Sequence, residues 1–401
     1  MRRVVVTGAG CVTAIGHDVE SFRQSLFAGR SGIRPIADER ANGVHFKTLA
    51  EVQAFRPGDW LTAAQKQLAE RSASFAIAAG RQAVEQSRLC GAYEGDSIAL
   101  ILGCSTGGRW AEEPQLQKLF TEGTRTHPLT VPRSMANAGT SLLSMEHGIT
   151  GPAYTVSTAC ASAAHAIGQA FHMVRSGSVE AAVTGGHEAP LTYGFLRAWD
   201  SLHVVSPAGC KPFAADRDGM TLGEGAALFA LETLERAQQR GAPILGEIVG
   251  FGMSSDARHM TQAHASGPVA AMRRALLDAQ SGADEVDYIN AHGTGTEVND
   301  RVEAEALHDV FGERSGTLAV SSTKGLHGHA MGASGAMELL STLLSLREGL
   351  LPANAGSENV DSALRLGGVL LQNRQMQSRL ALSNSFAFGG LNAVLAVKPV
   401  L

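Results

Sequence analysis

Along the chain, short β-branched or aliphatic runs ending near glycine alternate with longer stretches whose apolar residues recur every three or four positions. The runs that predict strands are Val4 to Thr7, Ile98 to Leu102, Tyr154 to Ser157, Ala181 to Thr184, Ala227 to Leu231, Ile244 to Val249, Val286 to Ile289 and Leu318 to Ser321. Between them, Ser266 stands before Val269, Met272, Leu276 and Ala279, the spacing of a helix behind a capping residue. Asp300 to Phe311 repeats the pattern through Val302, Ala306 and Val310, with Asp300 placed to cap it. Strands separated by helices predict an α/β protein whose sheets are covered by helices.

Two comparisons within the chain point to an internal duplication. Val6-Thr7-Gly8-Ala9-Gly10 parallels Val249-Gly250-Phe251-Gly252, and Val156-Ser157-Thr158 parallels Val320-Ser321-Ser322, in the same order. The longer spacing in the first copy predicts insertions there, placed by the sequence within residues 105 to 150. A helical stretch from Leu231 to Arg240, closed by Gly241 and Pro243, divides the chain into halves 1–241 and 242–401.

Composition narrows the function classes. The chain has 401 residues, 44% of them hydrophobic, and can bury a core without disulfide or metal staples. A formal net charge of -5 and scattered Lys and Arg argue against a nucleic-acid or anionic-membrane binder. The five cysteines (Cys11, Cys90, Cys104, Cys160, Cys210) are odd in number and form no C-x-x-C pair, which disfavours a disulfide framework and predicts a reducing compartment. The apolar run after Met1 is too short for a signal peptide, and no stretch reaches the ~18 apolar residues of a membrane span. The expected location is the cytoplasm. Gly8-Ala9-Gly10-Cys11 lacks the third glycine of a dinucleotide fingerprint and a clearly placed downstream acid, so that function is rejected.

Candidate chemistry lies at three strand-to-loop junctions. After Cys160 the chain runs from Ala161 to Val174 without a charged residue, which predicts a buried helix with the cysteine at its N-terminal end. Backbone N–H groups and the helix dipole favour a thiolate there. For any single cysteine a buried structural role is the ordinary alternative, and the other four are read that way. His292 follows the strand ending at Ile289, where α/β proteins place ligand chemistry. Lys324, His327 and His329 follow the strand ending at Ser321 and precede a small-residue helix carrying the single acid Glu338. His327 and His329 have the look of a metal pair, but no third ligand has local spacing. Lys324 and Glu338 fit both an ordinary buried ion pair and a supporting catalytic role.

A cysteine and two histidines so arranged form the constellation of covalent thioester chemistry. These residues resemble the β-ketoacyl-acyl-carrier-protein synthases of the thiolase-like fold, in the decarboxylating Cys-His-His class. The matching stretches are Thr158-Ala159-Cys160-Ala161-Ser162, His292-Gly293-Thr294-Gly295-Thr296, Lys324 with Gly328-His329 and Gly332-Ala333, and Asn384-Ser385-Phe386-Ala387-Phe388-Gly389-Gly390-Leu391-Asn392. They span nearly the whole chain. The resemblance implies a duplicated five-layered α-β-α-β-α fold, Cys160 as nucleophile, and His292 and His329 as donors to the malonyl thioester oxygen. It further implies electrostatic tuning by Lys324, support from Glu338 and Asp300, and an oxyanion hole from the N–H groups of Cys160 and Phe388. Phe388 would be a gate, Gly389 beside it would belong with Thr294 and Thr296 to the substrate-binding residues, and the two threonines would hold the phosphopantetheine arm of an acyl carrier protein. No resident cofactor or metal is implied. The expected partners are the carrier protein and a second copy of the chain, with a chain-length-factor-like subunit as the alternative.

Three positions depart from the elongation enzymes: Ala163 where glycine is common, Thr106 where a bulkier aliphatic residue lines the acyl pocket, and a Thr126 to Pro132 stretch poor in aromatics. They suggest a reshaped pocket and, as alternative function, a ketosynthase subunit of a specialised polyketide or aryl-polyene pathway. A degradative thiolase would need a second cysteine near the C-terminus, yet none follows Cys210. A Cys-His-Asn synthase would have Asn where His329 stands, and a non-catalytic chain-length subunit would lack Cys160.

Overall fold

The computed structural model describes residues 2–400. Ten strands make its main sheet: β1 (Val4–Thr13), β2 (Ile98–Gly103), β3 (Ala153–Val156), β4 (Ala181–Glu188) and β5 (Gly225–Thr233), then β6 (Gly246–Ser255), β7 (Tyr288–Asn290), β8 (Ala319–Ser321), β9 (Ala381–Ala387) and β10 (Leu391–Lys398). Their order is β8-β7-β9-β10-β6-β1-β5-β4-β2-β3. Counted within its own half, each five-strand set follows one path, first, fifth, fourth, second, third, with the same parallel and antiparallel pairings. The duplication is therefore topological. The two sets meet where Val4 to Val6 of β1 pair with Gly246 to Ile248 of β6.

The paired glycine stretches have a packing cause. Helix α1 (Arg71–Ser87) crosses β1 so closely that a side chain at Gly8 or Gly10 would come within 2.1 Å of the Ala83 or Ala79 carbonyl oxygen. Helix α5 (Ser266–Asp278) lies on β6 in the same way, with the Ala275 and Ala271 carbonyls 2.4 and 2.0 Å from positions a side chain at Gly250 and Gly252 would take. Only glycine permits that approach. The glycines do not end β1 at Thr7, as the apolar run suggested; the strand continues through them to Thr13.

Between the two half-sheets lie helix α3 (Ser162–Ser176) and helix α7 (Ser334–Glu348), which touch strands of both halves. Their facing surfaces are small: Ala163, Ala164 and Ala166 belong to one cluster with Ala333, Ala336 and Met337. The outer faces are covered by α1 and α2 (Ala138–His147) on one side, and by α5 and α6 (Glu297–Phe311) on the other. Helix, sheet, helix, sheet, helix is the five-layered arrangement the resemblance implied.

Three local expectations change. The helix after β5, α4 (Leu234–Gln239), begins at Leu234, because β5 runs on to Thr233, which caps it. Ser266 opens α5 without capping it. The N-terminal half carries its extra chain both in residues 14–97 between β1 and β2 and in residues 104–152 between β2 and β3; the matching C-terminal segments are residues 256–287 and 291–318. Among the described residues no helix is long and apolar enough to cross a membrane.

Candidate active site

Cys160, His292, Lys324, His329 and Phe388 all follow the C-terminal ends of parallel strands, namely β3, β7, β8 and β9. In parallel sheets those ends open onto one side of the molecule. A cavity of about 400 Å³ collects Cys160, His292, Thr294, Thr296, His329, Phe388 and Gly389. Lys324 and Glu338 are fully buried behind it.

Cys160 sits in a single 3₁₀ turn between β3 and α3, and the residue before it, Ala159, has φ +48°. A non-glycine residue in that left-handed conformation is strained, and here it turns the chain so that the thiol faces the cavity. Burial pushes the thiol up to about 11, outweighing the Lys324 ammonium and the Phe388 backbone N–H directed at the sulfur, both of which lower it. The low-pKa sulfur expected from the helix end is thus corrected: the free site holds a neutral thiol, because desolvation exceeds the stabilisation of a thiolate.

The histidine rings meet edge to face, with centroids 5.4 Å apart. Burial first, then the Lys324 ammonium, keeps both imidazoles well below the usual histidine range and so neutral. Lys324 donates to the His292 carbonyl and to Glu338, and its Nζ lies 3.4 Å from His292 Nδ1. An ammonium has no acceptor, so His292 Nδ1 accepts and its proton sits on Nε2. His329 Nδ1 is 2.8 Å from Ser334 Oγ, which leaves its Nε2 as a donor when the hydroxyl donates. Two neutral imidazoles of this tautomer can donate N–H bonds to one anionic oxygen. His327 has both ring nitrogens engaged, by Thr323 Oγ1 at 2.8 Å and the Gly328 carbonyl at 2.9 Å, so it forms no metal pair with His329.

The Thr294 and Thr296 hydroxyls are 2.9 Å apart on the cavity wall, and Thr296 caps α6. Asp300 is not the cap: its buried carboxylate accepts the N–H groups of Phe213 (2.7 Å) and Gly295 (3.2 Å), fixing the Thr294–Thr296 loop from behind. Phe388 is half-buried against Trp199, and Gly389 and Gly390 after it have φ +81° and +70°. Thr106 is not among the residues lining the cavity. Its hydroxyl donates to the buried Glu188 at 2.7 Å.

Sequence reasoning missed several supporting groups. Glu303 accepts the N–H groups of His292 (2.9 Å) and Gly293 (2.8 Å) and an N–H of Asn384 (3.1 Å), and burial pushes its carboxyl up to about 7. Its signal was positional, since an acid on the helix stripe of Ala306 and Val310 must be buried. Glu188 accepts from the N–H groups of Ser105, Thr106 and Gly332, tying an N-terminal loop to a C-terminal turn. Among the described residues no group of three His, Cys, Asp or Glu side chains converges as a metal set. Asn290 Oδ1, Glu338 Oε2, Asn384 Oδ1 and Ser385 Oγ are buried without partners.

Comparison with known proteins places the chain in a family. Residues 1–237 match the β-ketoacyl synthase N-terminal domain and residues 245–358 its C-terminal domain. Nodulation protein E of Rhizobium sp. (strain N33) is 38% identical over 401 residues, with both chains covered in full. The 3-oxoacyl-[acyl-carrier-protein] synthase 2 of Coxiella burnetii is 36% identical over 409 residues, covering 100% of this chain and 99% of its own. The solved ishigamide ketosynthase/chain length factor superposes over the whole of both chains with TM-score 0.93 at 33% identity. By its sequence and its topology, this chain belongs to the β-ketoacyl synthase family.

Proposed function

We propose that the chain condenses an acyl group held on Cys160 with malonyl-acyl carrier protein to give 3-oxoacyl-acyl carrier protein. In the first half-reaction, Cys160 Sγ bonds to the acyl carbon, the carrier sulfur leaves, and the departing thiol takes up the proton that Cys160 loses. The N–H groups of Cys160 and Phe388 serve the developing oxyanion. In the second, the malonyl thioester loses CO2, and its enolate carbon attacks the acyl carbon. Cys160 leaves as thiolate and takes one proton from solvent to regain the neutral thiol.

The enolate oxygen needs donors that do not protonate the carbon, and two neutral Nε2–H imidazoles meet that need. Lys324 keeps them neutral and oriented, Glu338 neutralises Lys324, and Asp300 positions the loop whose Thr294 and Thr296 receive the phosphopantetheine arm. The acyl carrier protein is the expected partner, and the free cysteines fit a cytoplasmic setting. The observation that carries the reading is the convergence of Cys160, His292 and His329 on one cavity.

A second reading, a ketosynthase subunit working beside a chain-length partner, draws on the likeness to the ishigamide ketosynthase/chain length factor. Loading purified protein with acyl-carrier thioesters and then adding malonyl-carrier protein tests both. A β-ketoacyl product from the chain alone supports the stand-alone enzyme. Product formed only when a partner subunit is added supports the second reading, and no product in either case sinks both.

A further inference from the structure

Trp199 enters neither the sequence motifs nor the condensation chemistry, yet it lines the same cavity as Cys160. It lies near the end of the helix Tyr193–Asp200, whose terminal Asp200 is anchored by the His45 backbone N–H at 2.8 Å and by His45 Nδ1 at 2.9 Å. The indole is therefore presented from a fixed support. Its face stacks on the ring of Phe388 with centroids 5.9 Å apart and planes inclined by 28°.

Phe388 is the residue whose N–H points at the Cys160 sulfur, so ring and backbone of one residue link the indole to the nucleophile. Gly389 and Gly390 occupy left-handed conformations, and the space beside the Gly389 Cα is open to 3.8 Å. The backbone of this turn is fastened at both glycines, by Gly389 N–H to the Met260 carbonyl (2.7 Å) and Asp256 N–H to the Gly390 carbonyl (2.9 Å), so the part left to move is the Phe388 side chain. The Phe388 ring itself faces a half-exposed mouth in which Trp199 is its stacking partner.

We infer that Trp199 is the latch of the Phe388 gate: its stacking holds the aromatic ring closed over Cys160, and its release admits the acyl chain. Trp199 is a positioning residue that acts through Phe388. The inference rests on the proposed condensation for its biological meaning but not for its test. Aromatic pairing of this kind shifts a two-state equilibrium by several-fold to roughly tenfold.

The experiment follows alkylation of Cys160 in the full chain by iodoacetamide, read by intact mass, in wild type, Trp199→Phe, Trp199→Leu, Phe388→Leu and the double variant Trp199→Leu/Phe388→Leu. Trp199→Leu is expected to speed alkylation several-fold, Trp199→Phe to stay near wild type, and the double variant to match Phe388→Leu because the latch has nothing left to hold. A Trp199→Leu rate equal to wild type would overturn the inference, as would equal acceleration by Trp199→Phe or additive effects in the double variant. If Trp199→Leu fails to fold, the milder Trp199→Met variant replaces it and the same outcomes decide. A wild type that never accepts an acyl group would defeat the proposed function and leave the alkylation result standing.

Discussion

The two halves of the molecule build the same turn twice and use it differently. After β3 the chain passes through Ala159 (φ +48°), Cys160 and Ala161 into α3; in the other half, ahead of α7, it passes through Met331 (φ +45°), Gly332 and Ala333. Both helices begin with a buried serine, Ser162 and Ser334. The first turn presents a thiol to the cavity. The second presents a bare glycine whose N–H is bonded to Glu188 at 3.1 Å, and a side chain there would lie 2.6 Å from the Glu188 carboxylate. The strained turn is therefore a property of the repeated fold, and the reaction is a property of what was set on it. Nucleophilic chemistry went to one copy, while Lys324, His329 and the serine orienting His329 collected in the other.

That asymmetry can be broken in graded steps. Cys160→Ala is expected to abolish acyl loading and to lower condensation by roughly four orders of magnitude or more; residual loading at another cysteine, seen by peptide mapping, would contradict the assignment. Lys324→Met leaves Glu338 charged, unpaired and fully buried, and should cost about 3–5 kcal/mol in denaturant unfolding. Pairing it with Glu338→Leu should restore much of that stability but not condensation. His292→Ala and His329→Ala should keep acyl loading while condensation falls roughly 10²- to 10³-fold, as expected when an oxyanion donor is removed. A parallel loss of loading would mean that the histidines serve the first half-reaction instead.

Smaller effects sharpen the picture. Gly332→Ala should destabilise the fold by about 1–3 kcal/mol through the crowded Glu188 carboxylate, whereas the same change at the exposed Gly123, with open space beside it, tests only its left-handed conformation. The pH dependence follows from the raised thiol: with the Cys160 pKa at about 11, the thiolate fraction grows about tenfold per pH unit below that value. Alkylation of the free enzyme should therefore keep rising through pH 9, and a plateau below it would contradict the buried neutral thiol.

Much of this was readable from residue pattern alone, for reasons tied to particular elements. Apolar runs found β2, β4 and β5 because those strands are buried on both faces and their carboxylates, Glu188 and Glu232, fall at or next to the C-terminal ends. β9 escaped notice because Ser383, Asn384 and Ser385 in its middle are fully buried polar residues, which erase the apolar signal. The nucleophile and both histidines were legible because each follows a recognisable strand. Thr106 was misplaced because its hydroxyl belongs to Glu188, a contact across more than eighty residues of chain. The thiol's pKa was misjudged for a related reason: a helix terminus is visible in sequence, whereas the burial that opposes it is a sum over neighbours from both halves.

The most direct test of the central claim is intact mass of wild type and Cys160→Ala after exposure to acyl-carrier-protein thioesters, followed by malonyl-carrier protein. The account predicts an acyl adduct on the wild type alone, discharged by malonyl-carrier protein with release of a 3-oxoacyl product. An adduct that survives Cys160→Ala, or one that malonyl-carrier protein cannot discharge, would contradict it.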